Sequence, residues 1–186
     1  MQNIEGKVAY ITGGTKGIGL GIAKALVENG VKVAISGRNI DDVEKARHYL
    51  GKENVLAIQS DVRFFEDEQN AVEQLTSTFG RLDIVIANAG LGKFAPIDEM
   101  SLEDWNAMID TNLTGVFHTM KATVEALKVS KGYYISIASL AGTNFFANGA
   151  GYNASKFGVV GFTQAAMLDL RNYDIKCTTI MPGSVT

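Results

Sequence analysis

Two side chains that could share a proton stand four residues apart, Tyr152 and Lys156. The run around them is small and apolar and continues as a helical pattern, so the phenol and the ammonium share one helix face. A free tyrosine has a pKa of about 10, whereas general acid–base chemistry works best near the operating pH. A unit charge about 4 Å away, at an effective dielectric of about 20, supplies the roughly 4 kcal/mol needed to close that gap. The pair could therefore be an acid–base group, and a packed ring beneath a solvated amine is the structural alternative.

Six short apolar runs, which read as strands, alternate with helical patterns along the chain. The strands are expected at about residues 7–12, 31–36, 54–59, 82–87, 133–138 and 175–181, with one long helix at about 101–129. Continuous apolar strands are typical of a parallel sheet that is covered on both faces. The sequence therefore predicts an α/β fold of three layers, with a doubly wound parallel sheet of Rossmann type in strand order 3-2-1-4-5-6. Residues 1–186 are expected to form a single domain.

Composition excludes several classes of function. The 186 residues are 46% hydrophobic and 20% charged with a net charge of −3, which favours a packed core and gives no basic patch for nucleic acid. No apolar run is long enough to span a membrane, and the N-terminus lacks the apolar region of a signal peptide. The single cysteine, Cys177, fits a reducing compartment, so a cytoplasmic protein is expected. His48 and His118 have no other metal-ligand types clustered with them, so no metal site is predicted.

A glycine-rich loop follows the first strand. Gly13, Gly17 and Gly19 have the spacing G-x-x-x-G-x-G, which differs from the common dinucleotide fingerprint G-x-G-x-x-G. Glycine lets the backbone approach a pyrophosphate closely, and the following helix offers unpaired N–H groups at its N-terminus. The loop therefore indicates a dinucleotide site, although close packing of the strand on the helix also requires glycine.

The end of the second strand predicts which dinucleotide is used. A carboxylate there would hold a ribose 2′-hydroxyl, whereas an arginine suits a 2′-phosphate. This chain has Arg38 at that turn and Lys16 in the glycine loop, while Asp41 and Asp42 read as the first residues of a helix. We therefore predict NADP(H) rather than NAD(H). The alternative is that both cations are solvated surface charges.

Taken together, seven segments resemble the short-chain dehydrogenases/reductases of single-domain type, in the order and spacing of that family. They are 12–19, Asp61 with Val62, Asn88 to Gly90, Asn112, Ser139, Tyr152 to Lys156, and Pro182 with Gly183. The resemblance implies reversible hydride transfer between NADP(H) and a small-molecule carbonyl or secondary alcohol. It also implies a homodimer or homotetramer, paired through the long helix and the Tyr152 helix.

The same resemblance implies roles for four catalytic residues. Tyr152 would be the general acid in carbonyl reduction and the base in alcohol oxidation. Lys156 would lower the pKa of the neighbouring phenol and hold the nicotinamide ribose. Ser139 would donate a hydrogen bond to the substrate oxygen, or be an ordinary serine at a strand end. Asn112 would anchor a water that links Lys156 to solvent, or be bonded to backbone inside the helix.

The cofactor residues that the resemblance implies lie after five strands. They are Gly13, Thr15, Lys16, Gly17, Ile18 and Gly19 at the phosphates, Asp61 and Val62 beside the adenine, Asn88, Ala89 and Gly90 under the adenosine ribose, and Pro182, Gly183 and Val185 at the nicotinamide, with Tyr152 and Lys156 at its ribose. Asn88 and Asp61 could instead cap turns at strand ends. Members of the family usually have longer chains, so the C-terminal part of the family fold is expected to be absent here.

Other functions remain open from the sequence alone. One is a regulatory or scaffold protein that binds NADP(H) without turnover, although such a protein has no need of Tyr152 beside Lys156. Others are an epimerase or dehydratase, whose glycine loop is usually more closely spaced, and an inactive fragment. Phe94, Phe145 and Phe146 predict an apolar wall near the substrate, which fits acyl, sterol-like and small aromatic carbonyls alike.

Overall fold

The computed structural model of the protein describes residues 4–183 and contains one parallel sheet of six strands. The strands are β1 (Val8–Thr12), β2 (Lys32–Gly37), β3 (Val55–Gln59), β4 (Ile84–Ala87), β5 (Tyr133–Ile137) and β6 (Lys176–Ile180). They lie in the order β3-β2-β1-β4-β5-β6, and every neighbouring pair is parallel. The predicted strand order and the Rossmann-type α/β fold are therefore confirmed.

Six α-helices connect and cover these strands. They are α1 (Gly17–Glu28), α2 (Ile40–Leu50), α3 (Phe65–Phe79), α4 (Leu102–Ile109), α5 (Gly115–Ser130) and α6 (Ala150–Leu170), with short 3₁₀ turns at Lys52–Asn54, Leu140–Gly142 and Arg171–Tyr173. The expected long helix is instead α4 and α5 joined by a π-helical turn at Asp110–Thr114. Helix α2 begins at Ile40, because the Asn39 side chain accepts hydrogen bonds from the N–H groups of Asp41 and Asp42.

The apolar strands pack on two faces, which explains why their sequences do not alternate between apolar and polar. In β1, Val8 and Tyr10 belong to one buried cluster, and Ala9 and Ile11 belong to another. The first cluster includes residues of α3, α5 and α6, and the second includes residues of α1 and α2. Helices thus cover both sides of the sheet, as in a doubly wound fold.

The buried side chain of Glu68 links the sheet to the helices on one of its faces. Glu68 of α3 is fully buried and accepts hydrogen bonds from Tyr10 (2.9 Å), Ser60 (2.7 Å) and Thr119 (2.9 Å). Burial raises the pKa of Glu68, and the three hydroxyl donors oppose that rise. The network therefore ties β1, the loop after β3 and helix α5 to helix α3.

Two structural features are absent from residues 4–183. No helix there is long and apolar enough to cross a membrane. In the same residues, no group of three or more His, Cys, Asp or Glu side chains is placed to hold a metal ion. Cys177 lies half-buried in β6, and burial raises the pKa of its thiol.

Candidate active site

A cleft of about 1710 Å³ opens at the carboxyl ends of the parallel strands. Loops after β1 to β5 line it, and Gly183 contributes from the segment after β6. Open α/β sheets bind their ligands at this edge, where the strand order reverses between β1 and β4. The fold therefore gathers at one place the loops that carry most of the candidate residues.

The glycine loop forms the floor of this cleft. Gly13 and Gly17 have φ angles of +64° and +55°, a conformation that L side chains rarely adopt. Gly19 lies so close to the Gly13 carbonyl that a Cβ there would clash with backbone. The Asn88 amide donates to the carbonyls of Thr12 and Gly13, at 3.0 Å each, and so ties the loop after β4 to the glycine loop.

The loop ends in a helix N-terminus that can receive an anion. Helix α1 begins at Gly17, and no described side chain caps it. Its first N–H groups therefore have no partner within the helix, and the helix dipole favours negative charge there. Gly90 lies close to the side chains of Asn112 and Lys156. A Cβ at this position would lie 3.3 Å from Asn112 Oδ1 and 3.5 Å from Lys156 Nζ. These features fit a dinucleotide that lies against the backbone.

Cations line one end of the cleft. Lys16 and Arg38 both lie there, as the sequence predicted, and Lys45 of α2 lies beside them. Asp42 lines the same end and forms an ion pair with Lys45 (3.8 Å). Lys45 was missed by the sequence reasoning, which read this part of α2 only as a helix start.

Arg63 changes the environment predicted for Asp61. Both residues line the cleft. The Arg63 guanidinium donates three hydrogen bonds to the carboxylate, from Nε to Oδ1 and Oδ2 at 3.0 Å each and from Nη2 to Oδ2 at 2.6 Å. Burial raises the pKa of Asp61, but the hydrogen bonds and charge of Arg63 outweigh it, so the pKa lies below its ordinary value. The Asp61 side chain is thus an ionised partner of Arg63 as well as a wall of the cleft.

Tyr152 and Lys156 lie one turn apart in the first half of α6 and both face the cleft. Lys156 is only 5% exposed, and its Nζ donates to the Ile137 carbonyl at 3.0 Å and lies 5.8 Å from the centre of the Tyr152 ring. Burial lowers the pKa of Lys156 to about 8. Ser139, at the end of β5, lines the same cleft, and its Oγ accepts a hydrogen bond from Ala141 N (3.1 Å).

Asn112 lies within the π-helical turn and does not line the cleft. Its side chain is fully buried, accepts from Leu91 N (2.8 Å) and donates to Leu91 O (2.8 Å) and Ser155 Oγ (3.0 Å). Ser155 in turn donates to the Tyr152 carbonyl at 2.8 Å. Asn112 therefore ties the loop after β4 to the Tyr152 helix, which is the backbone-bonded alternative of the sequence reasoning. π turns of this kind often occur at functional sites.

Asn153 is a positioning residue that the sequence reasoning missed. It is 7% exposed, and its amide donates to the carbonyls of Ala141 and Asn144, at 2.8 Å each. Its Oδ1 accepts from Phe146 N at 3.4 Å. The segment that follows Ser139 is thereby fastened to the helix that carries Tyr152. The amide of Asn153, in a run of mostly small and apolar residues, was the one feature of the sequence that could have indicated this role.

Most of the predicted residues meet at the cleft. Those that line it are Gly13, Thr15, Lys16, Ile18, Arg38, Asp61, Val62, Asn88, Ala89, Gly90, Ser139, Tyr152, Lys156 and Gly183. Gly17, Gly19, Asn112 and Pro182 are not part of the lining, and the Pro182 carbonyl accepts a hydrogen bond from Leu140 N (2.9 Å). Val185 lies outside the described residues.

A model of the family described as short chain dehydrogenase matches residues 7–186. The chain belongs to the short-chain dehydrogenase family. An uncharacterized oxidoreductase of Staphylococcus aureus is 35% identical over 186 residues, which are all of this chain and 80% of that protein. This member of the short-chain dehydrogenases is thus an oxidoreductase.

Solved structures of two oxidoreductases have the same fold as this chain. An alcohol dehydrogenase from Thermococcus sibiricus, complexed with 5-hydroxy-NADP, is 34% identical with a TM-score of 0.91, over 96% of this chain and 77% of that one. A 3-ketoacyl-(acyl-carrier-protein) reductase from Brucella melitensis, complexed with NADH, is 31% identical with a TM-score of 0.93, over 97% of this chain and 76% of that one. Both of these structures carry nicotinamide dinucleotides.

Proposed function

We propose that this protein transfers a hydride between NADP(H) and a carbonyl or secondary alcohol, with Tyr152 as the general acid and base. The observation that carries the proposal is the meeting of Ser139, Tyr152 and Lys156 in one cleft with the glycine loop. A pure nucleotide-binding protein would have no use for a phenol beside a buried ammonium. The solved relatives with bound NADH and an NADP derivative support a nicotinamide cofactor.

The cofactor would lie along the cleft from the cations to Tyr152. The N-terminus of α1 and the glycine loop would hold its phosphates, and Gly90 would leave room for it beside Lys156. The nicotinamide supplies or accepts the hydride when it is bound. Gly183 lies at the Tyr152 end of the cleft and is proposed to flank that ring together with Pro182 and Val185.

The protein itself supplies a held oxygen and a proton. Ser139 would donate a hydrogen bond to the substrate oxygen, and Tyr152 would deliver the proton to that same oxygen during reduction. The buried Lys156 ammonium stabilises negative charge on Tyr152 after the proton has left, because a charge in a partly dry site acts strongly. Asn112 and Ser155 hold the helix and the adjoining loop in register, so the three groups stay in place.

We further propose that the preference is for NADP(H), since Lys16, Arg38 and Lys45 line the adenosine end of the cleft. A 2′-phosphate adds about two negative charges, which favours Arg38 and Lys16 as partners. Arg63 neutralises Asp61 at this end and removes a source of repulsion.

Arg38→Asp is expected to lower the ratio of kcat/KM for NADPH to that for NADH by about 10- to 100-fold, because charge-assisted hydrogen bonds contribute about 1.5–3 kcal/mol. The measurement is steady-state kinetics with both cofactors and one carbonyl substrate. Arg171→Asp is the matched control, since Arg171 is exposed after α6 and does not line the cleft. An unchanged preference in Arg38→Asp would refute the assignment.

We also propose that the protein is a cytoplasmic homodimer or homotetramer. Phe117 of α5 and Phe157 and Leu168 of α6 are 47%, 44% and 57% exposed, so these helices offer apolar surface for a homodimer or homotetramer. A cytoplasmic, single-domain enzyme without nucleic-acid or membrane partners fits the composition described above.

The reaction itself is tested by the absorbance of NADPH in the presence of a panel of ketones. We expect NADPH to be consumed in stoichiometric amount with the secondary alcohol that forms. Binding of NADPH without consumption across aryl, alicyclic, linear and acyl thioester carbonyls would contradict the proposal and favour the non-catalytic alternative.

A further inference from the structure

The cleft has two chemically different ends. The charged residues that line it, apart from Lys156, are Lys16, Arg38, Asp42, Lys45, Asp61 and Arg63, all contributed by the glycine loop, α2 and the loops after β2 and β3. Around Tyr152 the lining is uncharged apart from Lys156 and includes Leu91, Phe94, Ser139, Leu140, Phe145 and Phe146. Within residues 4–183, Lys156 is thus the single charged residue lining this second end.

The cation next to Phe94 in the sequence does not line that end. Lys93 precedes Phe94, is exposed, and forms an ion pair with Asp104 of α4 at 3.6 Å. It is not part of the cleft lining. A substrate carboxylate near Tyr152 would therefore lose water with Lys156 as its only charged partner among these residues, and that ammonium is buried and already donates to the Ile137 carbonyl. A buried charge without a close partner is costly.

Two aromatic rings form a continuous wall beside the reacting group, Tyr152. Phe94 packs edge-on against Tyr152, with ring centres 5.5 Å apart and planes at 64°. It also packs at a tilt against Phe146, with centres 5.9 Å apart and planes at 50°. Phe94 and Phe146 are nevertheless 59% and 48% exposed, so each has a large apolar face that is not yet covered.

The wall is held in place from both sides. Ala95 N donates to Asn148 O at 3.1 Å, which joins the loop after β4 to the loop before α6. Asn153 fastens the segment around Phe146. Gly149 lies directly against the Phe146 ring, where a Cβ would come within 2.5 Å of it. A wall that is fixed in advance binds a rigid partner with little loss of conformational freedom.

We propose that Phe94 and Phe146 form a subsite for an uncharged six-membered ring, aryl or alicyclic, attached to the carbonyl that Tyr152 protonates. This deepens the proposed function and rests on it. Two rings tilted at 50° present an angled face that a compact ring contacts on two sides, with edge-to-face contacts for an aryl group. A linear chain covers less of that face and loses more rotational freedom on binding.

Four methyl ketones with closely related skeletons test the subsite. Acetophenone and cyclohexyl methyl ketone carry the ring, 2-octanone has the same number of carbons without a ring, and 4-acetylbenzoate adds a carboxylate to acetophenone. We expect kcat/KM with NADPH to be at least about tenfold higher for the two ring ketones than for the other two. Equal or better turnover of 4-acetylbenzoate or 2-octanone would overturn the proposal.

Two variants separate the subsite from a general effect on Tyr152. Phe146→Ala removes part of the aromatic wall and leaves the contact between Phe94 and Tyr152 in place. Phe94→Ala removes part of the wall and that contact as well. Each is expected to lower kcat/KM for acetophenone about tenfold, mainly through KM, while 2-octanone changes by less than about threefold. Tyr173→Ala is the aromatic control, since its ring lies under Lys128 and outside the cleft lining. An equal loss for both ketones in Phe146→Ala would show that the wall is not a ring subsite.

Binding without turnover distinguishes this proposal from the proposed function. Ligand-observed NMR with NADP-loaded protein is expected to show saturation transfer to acetophenone, weaker transfer to 4-acetylbenzoate, and loss of the acetophenone response in Phe146→Ala. Selective binding without NADPH consumption would leave the subsite standing and refute the hydride transfer. Turnover without this selectivity would refute the subsite and leave the hydride transfer standing.

Discussion

Tyr152→Phe is expected to lower kcat for carbonyl reduction by about 10²- to 10⁴-fold, which is the usual contribution of a positioned general acid. The substitution removes one hydroxyl group and keeps the ring that packs against Phe94. The phosphates would still be held by the glycine loop and the N-terminus of α1, so NADPH should bind with nearly unchanged affinity. A selective loss of this kind identifies the proton donor rather than a structural residue.

The measurement pairs steady-state kinetics with NADPH fluorescence titration. Tyr173→Phe is the matched control, because it removes the same hydroxyl from a half-exposed ring outside the cleft lining, and it should leave both quantities unchanged. A kcat within about threefold of the parent in Tyr152→Phe would mean that another group donates the proton. A parallel loss of NADPH affinity would mean that the Tyr152 hydroxyl binds the cofactor, so that the fall in kcat could not be assigned to proton transfer alone.

Lys156→Met is expected to abolish most activity while raising the stability of the cofactor-free protein at neutral pH. The ammonium is 5% exposed, and burial lowers its pKa from 10.5 to about 8. This lowering of the pKa means that the charged Lys156 reduces the free energy of unfolding by about 3 kcal/mol at neutral pH. Methionine has a similar shape without the charge. In this variant the Ile137 carbonyl loses its hydrogen-bond donor, which removes about 1 kcal/mol of the expected gain in stability.

The sign of the pH dependence follows from the depressed pKa. Between about 8 and 10.5 the unfolded chain binds more protons at Lys156 than the folded chain does, so the contribution of this group to stability rises with pH across that window. The advantage of Lys156→Met should therefore be about 2 kcal/mol at pH 7 and should disappear as the pH approaches 10.5. At pH 7 this corresponds to a rise in Tm of about 4–8 °C for a chain of this size.

Thermal unfolding of the parent and of Lys156→Met at several pH values measures this difference. Lys52→Met replaces an exposed lysine outside the cleft lining and should give no gain. A fall in Tm of Lys156→Met at pH 7 would mean that the Ile137 hydrogen bond and local packing outweigh the cost of the buried charge.

The sheet could be predicted because its determinants are local. Apolar runs bounded by glycine, such as the one before Gly13, define buried strands, and their alternation with helical patterns leaves few topologies. The Tyr152 and Lys156 spacing was equally local, since one helical turn brings the two side chains to one face. Arg38 could be placed because it directly follows β2, and Lys16 because it lies in the glycine loop between β1 and α1.

The rest of the site depends on contacts between distant segments. The edge-on packing of Phe94 against Tyr152 joins the loop after β4 to helix α6, which no local pattern links. The Asn153 amide likewise reaches back to the segment after Ser139. The bonding of Asn112 to Leu91 follows from a π-helical turn, which has no sequence pattern of its own. The pairing of Arg63 with Asp61 was within reach of the sequence, because only Val62 separates them.

Transfer of deuterium to a ketone from NADPH that carries deuterium at both C4 positions of the nicotinamide tests the proposed hydride transfer most directly. With acetophenone as substrate, the proposed hydride transfer predicts 1-phenylethanol with one deuterium on the carbinol carbon. It also predicts that Tyr152→Phe forms this product at least about 100-fold more slowly, at similar cofactor occupancy. Unlabelled alcohol, or NADPH that stays bound with its label while a wide panel of carbonyls goes unreduced, would contradict it.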